Sequence, residues 1–290
     1  MKIVKIIGGL GNQMFQFALY KALQKQHPEE RVLIDLHCFN GYHLHHGFEI
    51  GSVFGADYEE ATLKEVARLA YPYPNYQTWR FGSRILPVRQ TMLKEKADFA
   101  FEPSALTRQG DTYYDGYWQH EEYFKHIRKD IIELYQFKTF EDEQNKTIAD
   151  KINSHECLSI HVRRGDYTSN HLYNNICTAD YYKKAFLKMK EVCSFDMICI
   201  FSDDMGWCRQ QFDSLKDTYA LEFFTWNQGE NSFRDIQLMS LCHHHIIANS
   251  SFSWWGAWLS RNQHQKVCAP KVWMNIPEIH SPLLKDWILI

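Results

Sequence analysis

Short runs of β-branched residues alternate with longer amphipathic stretches along the whole chain. Residues 3–7 are the first such run. Glycines 8, 9 and 11 follow. From Met14 to about Gln26, Phe15, Leu19 and Leu23 then share one stripe, which Met14, Phe17 and Ala18 widen. A stripe that wide predicts a buried helix. Residues 31–35 read as a second strand, so the chain opens as a Rossmann-like α/β domain does. Two prolines make residues 71–76 a loop. Residues 113–119 read as the last strand of this half, and a helix runs from Tyr123 to about Gln136. The polar stretch 138–145 is the candidate boundary, although Ile148 and Ile152 already fall in helical register. This gives an N-terminal domain, 1–150, and a C-terminal domain, 151–290.

The second half repeats the alternation. Leu158, Ile160 and Val162 form one face of a strand. Residues 180–192 are an amphipathic helix, and 197–201 are a fully apolar strand ending at Ser202, Asp203 and Asp204. A helix carrying Trp207, Cys208 and Phe212 follows, then a strand at 221–224, a helix at 235–245 and a short strand at 246–248. A serine-rich turn leads into a helix at 254–259. Pro270, Pro277 and Pro282 punctuate a tail with little regular structure, anchored by Trp273 and Trp287.

The chemistry gathers at three turns. After the strand at 158–162 come Arg163, Arg164, Gly165 and Asp166, where open α/β sheets bind ligands. Arginines there form a bidentate phosphate clamp, or they pair with local carboxylates such as Asp166 and only fix the turn. Asp203 and Asp204 offer acceptors to a guanine N1–H and amino group, or they cap the next helix. The serines at 250, 251 and 253 present hydroxyls and free N–H groups to an anion, or they act as an N-cap. In the first half, the glycine turn lets backbone and Asn12 approach a sugar phosphate, or it is a bare connection with Asn12 as N-cap. Met14 stands where a dinucleotide fingerprint needs a third glycine, and no G-K-[ST] occurs. Asp35 mimics the ribose-binding acid of an NAD enzyme, which keeps that alternative open. His37, His43, His45, His46 and Glu49 crowd one segment, but their spacing matches no standard metal cage. His243, His244 and His245 are consecutive and so point three ways.

Composition narrows the field. The formal charge of −3 over 290 residues argues against a general nucleic-acid binder, so any basic site is local. Eight cysteines are scattered with no C-x-x-C pair, several in apolar runs where buried thiols are common. No run of 18 apolar residues occurs and the start reads straight into a strand. The expected home is a reducing cytoplasm.

Seven segments, in order, carry a resemblance: G-G-L-G-N-Q-M-F-Q at 8–16, H-G-F-E at 46–49, G-Y-W-Q at 116–119, H-V-R-R-G-D-Y at 161–167, F-S-D-D at 201–204, D-I-Q-L-M-S at 235–240 and A-N-S-S-F-S-W-W-G at 248–256. Together they resemble the α-1,2-fucosyltransferases of glycosyltransferase family 11, within the superfamily that includes α-1,6 and protein O-fucosyltransferases. The resemblance implies a GT-B fold, two Rossmann-like domains facing across a cleft, with GDP-β-L-fucose as donor and a terminal β-galactoside as acceptor.

It further implies that Arg163 holds the β-phosphate and His161 lies near the nucleoside. Asp203 or Asp204 reads guanine, while Arg164 and Asp166 brace the clamp. Asn249, Ser250, Ser251, Phe252 and Ser253 line the pyrophosphate, and Gly9, Gly11 and Asn12 approach from the other domain. His46, Glu49, Trp118 and Gln119 are placed on the acceptor side. The implied reaction inverts the fucose anomeric carbon. Arginine stands in for a metal, since no D-x-D triplet occurs, and no cofactor is expected. Asp166, His171, Glu49 and His46 are candidate bases. The vertebrate members' membrane anchor is missing, which implies a bacterial cytoplasmic form working on a lipid-linked glycan with peripheral membrane contact. A fucosyltransferase of other linkage and a non-catalytic sugar-nucleotide-binding module are the competing readings.

Overall fold

The computed structural model describes residues 1–42, 45–96 and 99–290. The chain divides into two units, Met1–Phe137 and Lys138–Ile290. In the first unit, β1 (Lys2–Lys5), β2 (Val32–Asp35), β3 (Met92–Lys94) and β4 (Thr112–Asp115) form a parallel sheet in the order β2-β1-β4-β3. Ile3, Leu33 and Tyr113 pack one face against Val66 and Leu69 of the helix Leu63–Leu69. The helix Leu10–Gln26 buries apolar residues over most of its circumference, and with them the amides of Gln13 and Gln16.

Those buried amides are fully used. Gln16 accepts from Ile7 N and donates to Gly116 O. Gln13 donates to the carbonyls of Gly8 and Gly47 and accepts from Glu49 N. Two side chains thus stitch three connecting loops to one helix, since buried polar groups must be paired. The expected strand at 113–119 ends at Asp115 because Gly116 to Gln119 turn away. The helix from Tyr123 is two 3₁₀ turns followed by Arg128–Leu134.

The second unit holds β5 (Cys157–Val162), β6 (Met197–Ser202), β7 (Ala220–Phe224), β8 (His244–Ile246), β9 (Val267–Ala269) and β10 (Ile288–Leu289). They form one parallel sheet, order β10-β9-β8-β5-β6-β7. Both units are therefore parallel α/β, the architecture expected of each half. The helix Phe233–Leu241 stops short of the histidines, and His244 and His245 stand on β8. The last helix spans Ser251–Trp258, so the serines are its first turn. It packs closely on Phe233–Leu241, because a Cβ at Gly256 would lie 2.9 Å from that of Met239. The tail is mostly irregular but ends in an edge strand. Among the described residues no helix is long and apolar enough to cross a membrane.

Candidate active site

In the second unit the chain leaves β5 for β6 and β7 on one side, then returns to place β8 on the other. The carboxyl ends of β5 and β8 therefore flank the switch point, where open sheets bind ligands. β5 delivers Arg163 and Arg164 there, and β8 delivers Asn249 and the serine turn.

Arg163 lies between two carboxylates. Its Nη2 donates to Asp166 Oδ1 at 2.7 Å and its Nη1 is 3.1 Å from Asp203 Oδ2. Its guanidinium carbon sits 5.5 Å from the Tyr167 ring centre. Asp203 also accepts from Arg164 N at 2.8 Å. Asp203 approaches so closely that a Cβ at Gly165 would stand 2.8 Å from its Oδ2. Arg164 turns the other way: its Nε donates to Asp204 Oδ2 at 3.0 Å and its plane lies over Trp207 at 4.5 Å. Asp204 caps the helix Met205–Phe212 by accepting from Trp207 N, and this bond with the Arg164 contact holds its carboxyl below the usual range. Both aspartates expected to read guanine are thus engaged by arginines and backbone.

Ser250 caps the last helix by accepting from Phe252 N at 3.3 Å. Tyr167 stacks on Tyr173 at 4.5 Å. Asn249 is held from behind: its Nδ2 donates to Trp273 O and its Oδ1 accepts from Cys177 Sγ. Ser253, expected on the pyrophosphate, is instead wholly buried and donates to the carbonyls of Ala248 and Ser250. Arg163, Arg164, Tyr167, Tyr173, Thr178 and Asn249 border a polar hollow of about 220 Å³. That suits a diphosphate or one sugar ring, since pockets for complete ligands run to roughly 300–1,000 Å³. A larger hollow of about 450 Å³ in the first unit, by Lys21 and Ile131, holds none of the expected site residues.

His161 sits beneath this loop, its ring 5.7 Å from Phe252. Burial, and secondarily Arg163, push its imidazole down to about 3. It is neutral at working pH, and its Nδ1 has no partner among the described residues. Sequence reasoning missed Asp235, in the first turn of the helix that follows β7. Burial pushes its carboxyl up to about 7, opposed by one hydrogen bond from Asn227 Nδ2 at 2.9 Å. Asn227 is itself fixed by Asn145. The D-I-Q-L-M-S segment held the signal, but no local pattern separates a caged carboxyl from a helix-capping one.

In the first unit the corresponding switch point lies between β1 and β4. Gly9, not Asn12, is the N-cap of the helix Leu10–Gln26, and Gly8 turns into it at φ +94°. Gly11 is buried within the helix's first turn. Asn12 Oδ1 accepts from Gln119 Nε2 at 2.8 Å. Trp118, expected to face an acceptor, is wholly buried against Tyr114 and Tyr123. Glu49 is also buried, which raises its carboxyl despite the nearby His46, itself exposed. Asp35 is committed to His37 and to Tyr113 Oη, so it mimics a ribose-binding acid in sequence only. His43 lies outside the described residues. The imidazoles of His243, His244 and His245 meet Cys157 N, Lys266 N and Ser159 Oγ, all structural partners.

An arginine-lined hollow at the switch point of a parallel sheet has the size and charge to take an anion. The glycosyl transferase family 11 model matches residues 89–290. An alpha-1,2-colitosyltransferase of Escherichia coli is 29% identical over 99% of this chain and 98% of its own length. The O-antigen biosynthesis glycosyltransferase WbnK, also of Escherichia coli, is 30% identical over 97% of each chain. Galactoside alpha-(1,2)-fucosyltransferase 2 of Bos taurus is 24% identical over 98% of this chain and 81% of its own. The chain belongs to glycosyl transferase family 11.

Proposed function

We propose that this glycosyltransferase moves L-fucose from GDP-β-L-fucose to the 2-hydroxyl of a terminal β-galactose, inverting the anomeric carbon. The single observation that carries the reading is the Arg163 turn at the β5/β8 switch point, in a chain whose relatives bear alpha-1,2 names. The galactose O2 forms the new bond to the anomeric carbon as the bond to the β-phosphate oxygen breaks, GDP departs with the electron pair, and the hydroxyl proton is released to water. The catalytic demand is to receive that negative charge. The doubly charged pyrophosphate displaces the exposed Asp166 from Arg163, and Asp203 stays beneath to hold the guanidinium. The first N–H groups of the helix Ser251–Trp258 add their positive end.

Of the four carboxyls described, Asp166, Asp203 and Asp204 are tied to arginines and Asp235 is not, and Asp235 takes the guanine N1–H and amino donors. Guanidinium and N–H groups supply the stabilisation a metal would otherwise give, so transfer continues in EDTA. A loose, oxocarbenium-like transition state asks little of a general base. The acceptor is a surface glycan built on a lipid carrier at the inner face of the membrane, with the enzyme in the cytoplasm.

The test is purified protein with a terminal β-galactoside and either GDP-fucose or GDP-colitose, EDTA present, following GDP release and assigning the product linkage by NMR. An α-1,2-fucosyl product is expected. A product linked elsewhere reassigns the enzyme to another linkage, preference for GDP-colitose reassigns the donor, and nucleotide binding with no transfer to a broad glycan panel leaves a binding module.

A further inference from the structure

The helix Tyr76–Ile85 in the first unit has two faces of opposite character. Its inner face is firmly seated. Asn75 caps it by accepting from Thr78 N at 3.0 Å. A Cβ at Gly82 would stand 2.3 Å from the Tyr73 ring, so helix and ring are in contact. Tyr76 meets Tyr42 at 4.7 Å, and Trp79 covers the buried Lys5 ammonium at 4.3 Å. The chain beyond the helix is fixed by Arg89, which donates to the carbonyls of Ala67, Arg68 and Ala70.

The outer face is apolar and cationic. Phe81 is 69% exposed and Ile85 62%, one turn apart, and Val88 follows at 54%. Arg80 and Arg84 form the adjoining stripe, also one turn apart and exposed. Neither guanidinium has a carboxylate partner among the described residues. The outward positions, Gln77, Thr78, Arg80, Phe81, Arg84 and Ile85, include no acid. Single exposed apolar residues are ordinary. Here three stand on one segment beside two cations with no carboxylate partner among the described residues.

We propose that this helix and the turn at 86–88 lie in the headgroup layer of an anionic lipid bilayer. Phe81, Ile85 and Val88 reach the acyl boundary, and Arg80 and Arg84 meet lipid phosphates. Interfacial helices combine these same two elements. A second copy fits worse, because a two-fold contact through this face brings four guanidinium groups together with no acid to receive them. The inference gives a surface to the peripheral contact proposed above. It stands apart from the transfer reading because vesicle binding needs no turnover.

The test is co-sedimentation of the full chain with vesicles of phosphatidylcholine alone, and of phosphatidylcholine and phosphatidylglycerol in equal parts. Binding to the anionic vesicles only is expected, weakening with salt. The doubles Arg80→Glu/Arg84→Glu and Phe81→Ser/Ile85→Ser should each bind roughly tenfold less or worse. All four side chains point away from the packed core, so both variants keep the wild-type melting midpoint and activity on a soluble galactoside. Absence of binding, equal binding to both vesicle types, or wild-type binding by either double overturns the proposal. So does a solution dimer that Phe81→Ser/Ile85→Ser dissolves, which would assign the face to a second copy.

Discussion

Each sheet has a switch point beside its first strand, and the two are furnished in opposite ways. Between β1 and β4 the polar groups are satisfied by one another: Gln16 on Gly116, Gln119 on Asn12, and Glu95 beneath the turn. Between β5 and β8 the chain concentrates charge, with two arginines against three carboxylates around an open hollow. The contrast is sharpest in two carboxyls that burial lifts to about 7. Glu95 accepts the N–H groups of Tyr117 and Trp118 and holds Trp118 in the left-handed region at φ +55°. Asp235 accepts one side-chain amide. The first carboxyl is fully employed by its own fold, and the second keeps capacity for a ligand.

The largest test of this contrast is Arg163→Ala. Loss of one preorganised charge donor costs roughly 10²–10³ in kcat, while far-UV circular dichroism and the melting midpoint should stay near wild type. A near-normal rate would remove Arg163 from the chemistry. Next is Asp235→Asn, which keeps the Asn227 contact but replaces a charged acceptor. GDP-fucose should bind roughly 10–100-fold more weakly, in line with about 1.5–3 kcal/mol for a hydrogen bond to a charged group. Calorimetry across pH adds a second readout. The guanine donors need the ionised carboxylate, so wild-type affinity should rise as pH climbs through about 7 and level off above it. Both phosphates of GDP-fucose are esterified and do not titrate there. A slope that survives in Asp235→Asn would place the guanine elsewhere.

The smallest effect on turnover, and the clearest on stability, belongs to Glu95. Its folded pKa lies above its unfolded one, so its contribution to stability is fullest below about pH 4 and is lost as pH rises towards about 7. Glu95→Gln should flatten that part of the melting curve against pH. Glu95→Ala should lower the midpoint by several degrees, because buried N–H groups lose their acceptor at about 1–3 kcal/mol each. A midpoint unchanged by Glu95→Ala would mean that the turn at 116–119 holds itself.

What the sequence made legible follows from where its information is local. Alternation at Leu158, Ile160 and Val162 marked β5, and the arginines after it could only fall at a sheet edge. Gln13 and Gln16 sat in plain view, but their partners lie up to 100 residues away, so no window could show them as stitches. The histidines at 243–245 read as the end of a helix, yet His244 and His245 are buried in β8, where the N–H of Lys266 and the hydroxyl of Ser159 each meet one ring nitrogen across the fold. The resemblance placed Trp118 on the acceptor side, and only the Glu95 carboxyl, 23 residues earlier, explains why it faces inward.

Gly165 and Asp203 touch across two loops, with 2.8 Å between the carboxylate and the place where any other residue would put its first side-chain carbon. Neither position is free to drift alone. Among descendants of this chain, a larger residue at 165 should arrive only together with a shorter one at 203, and the pair should read as a single inherited character.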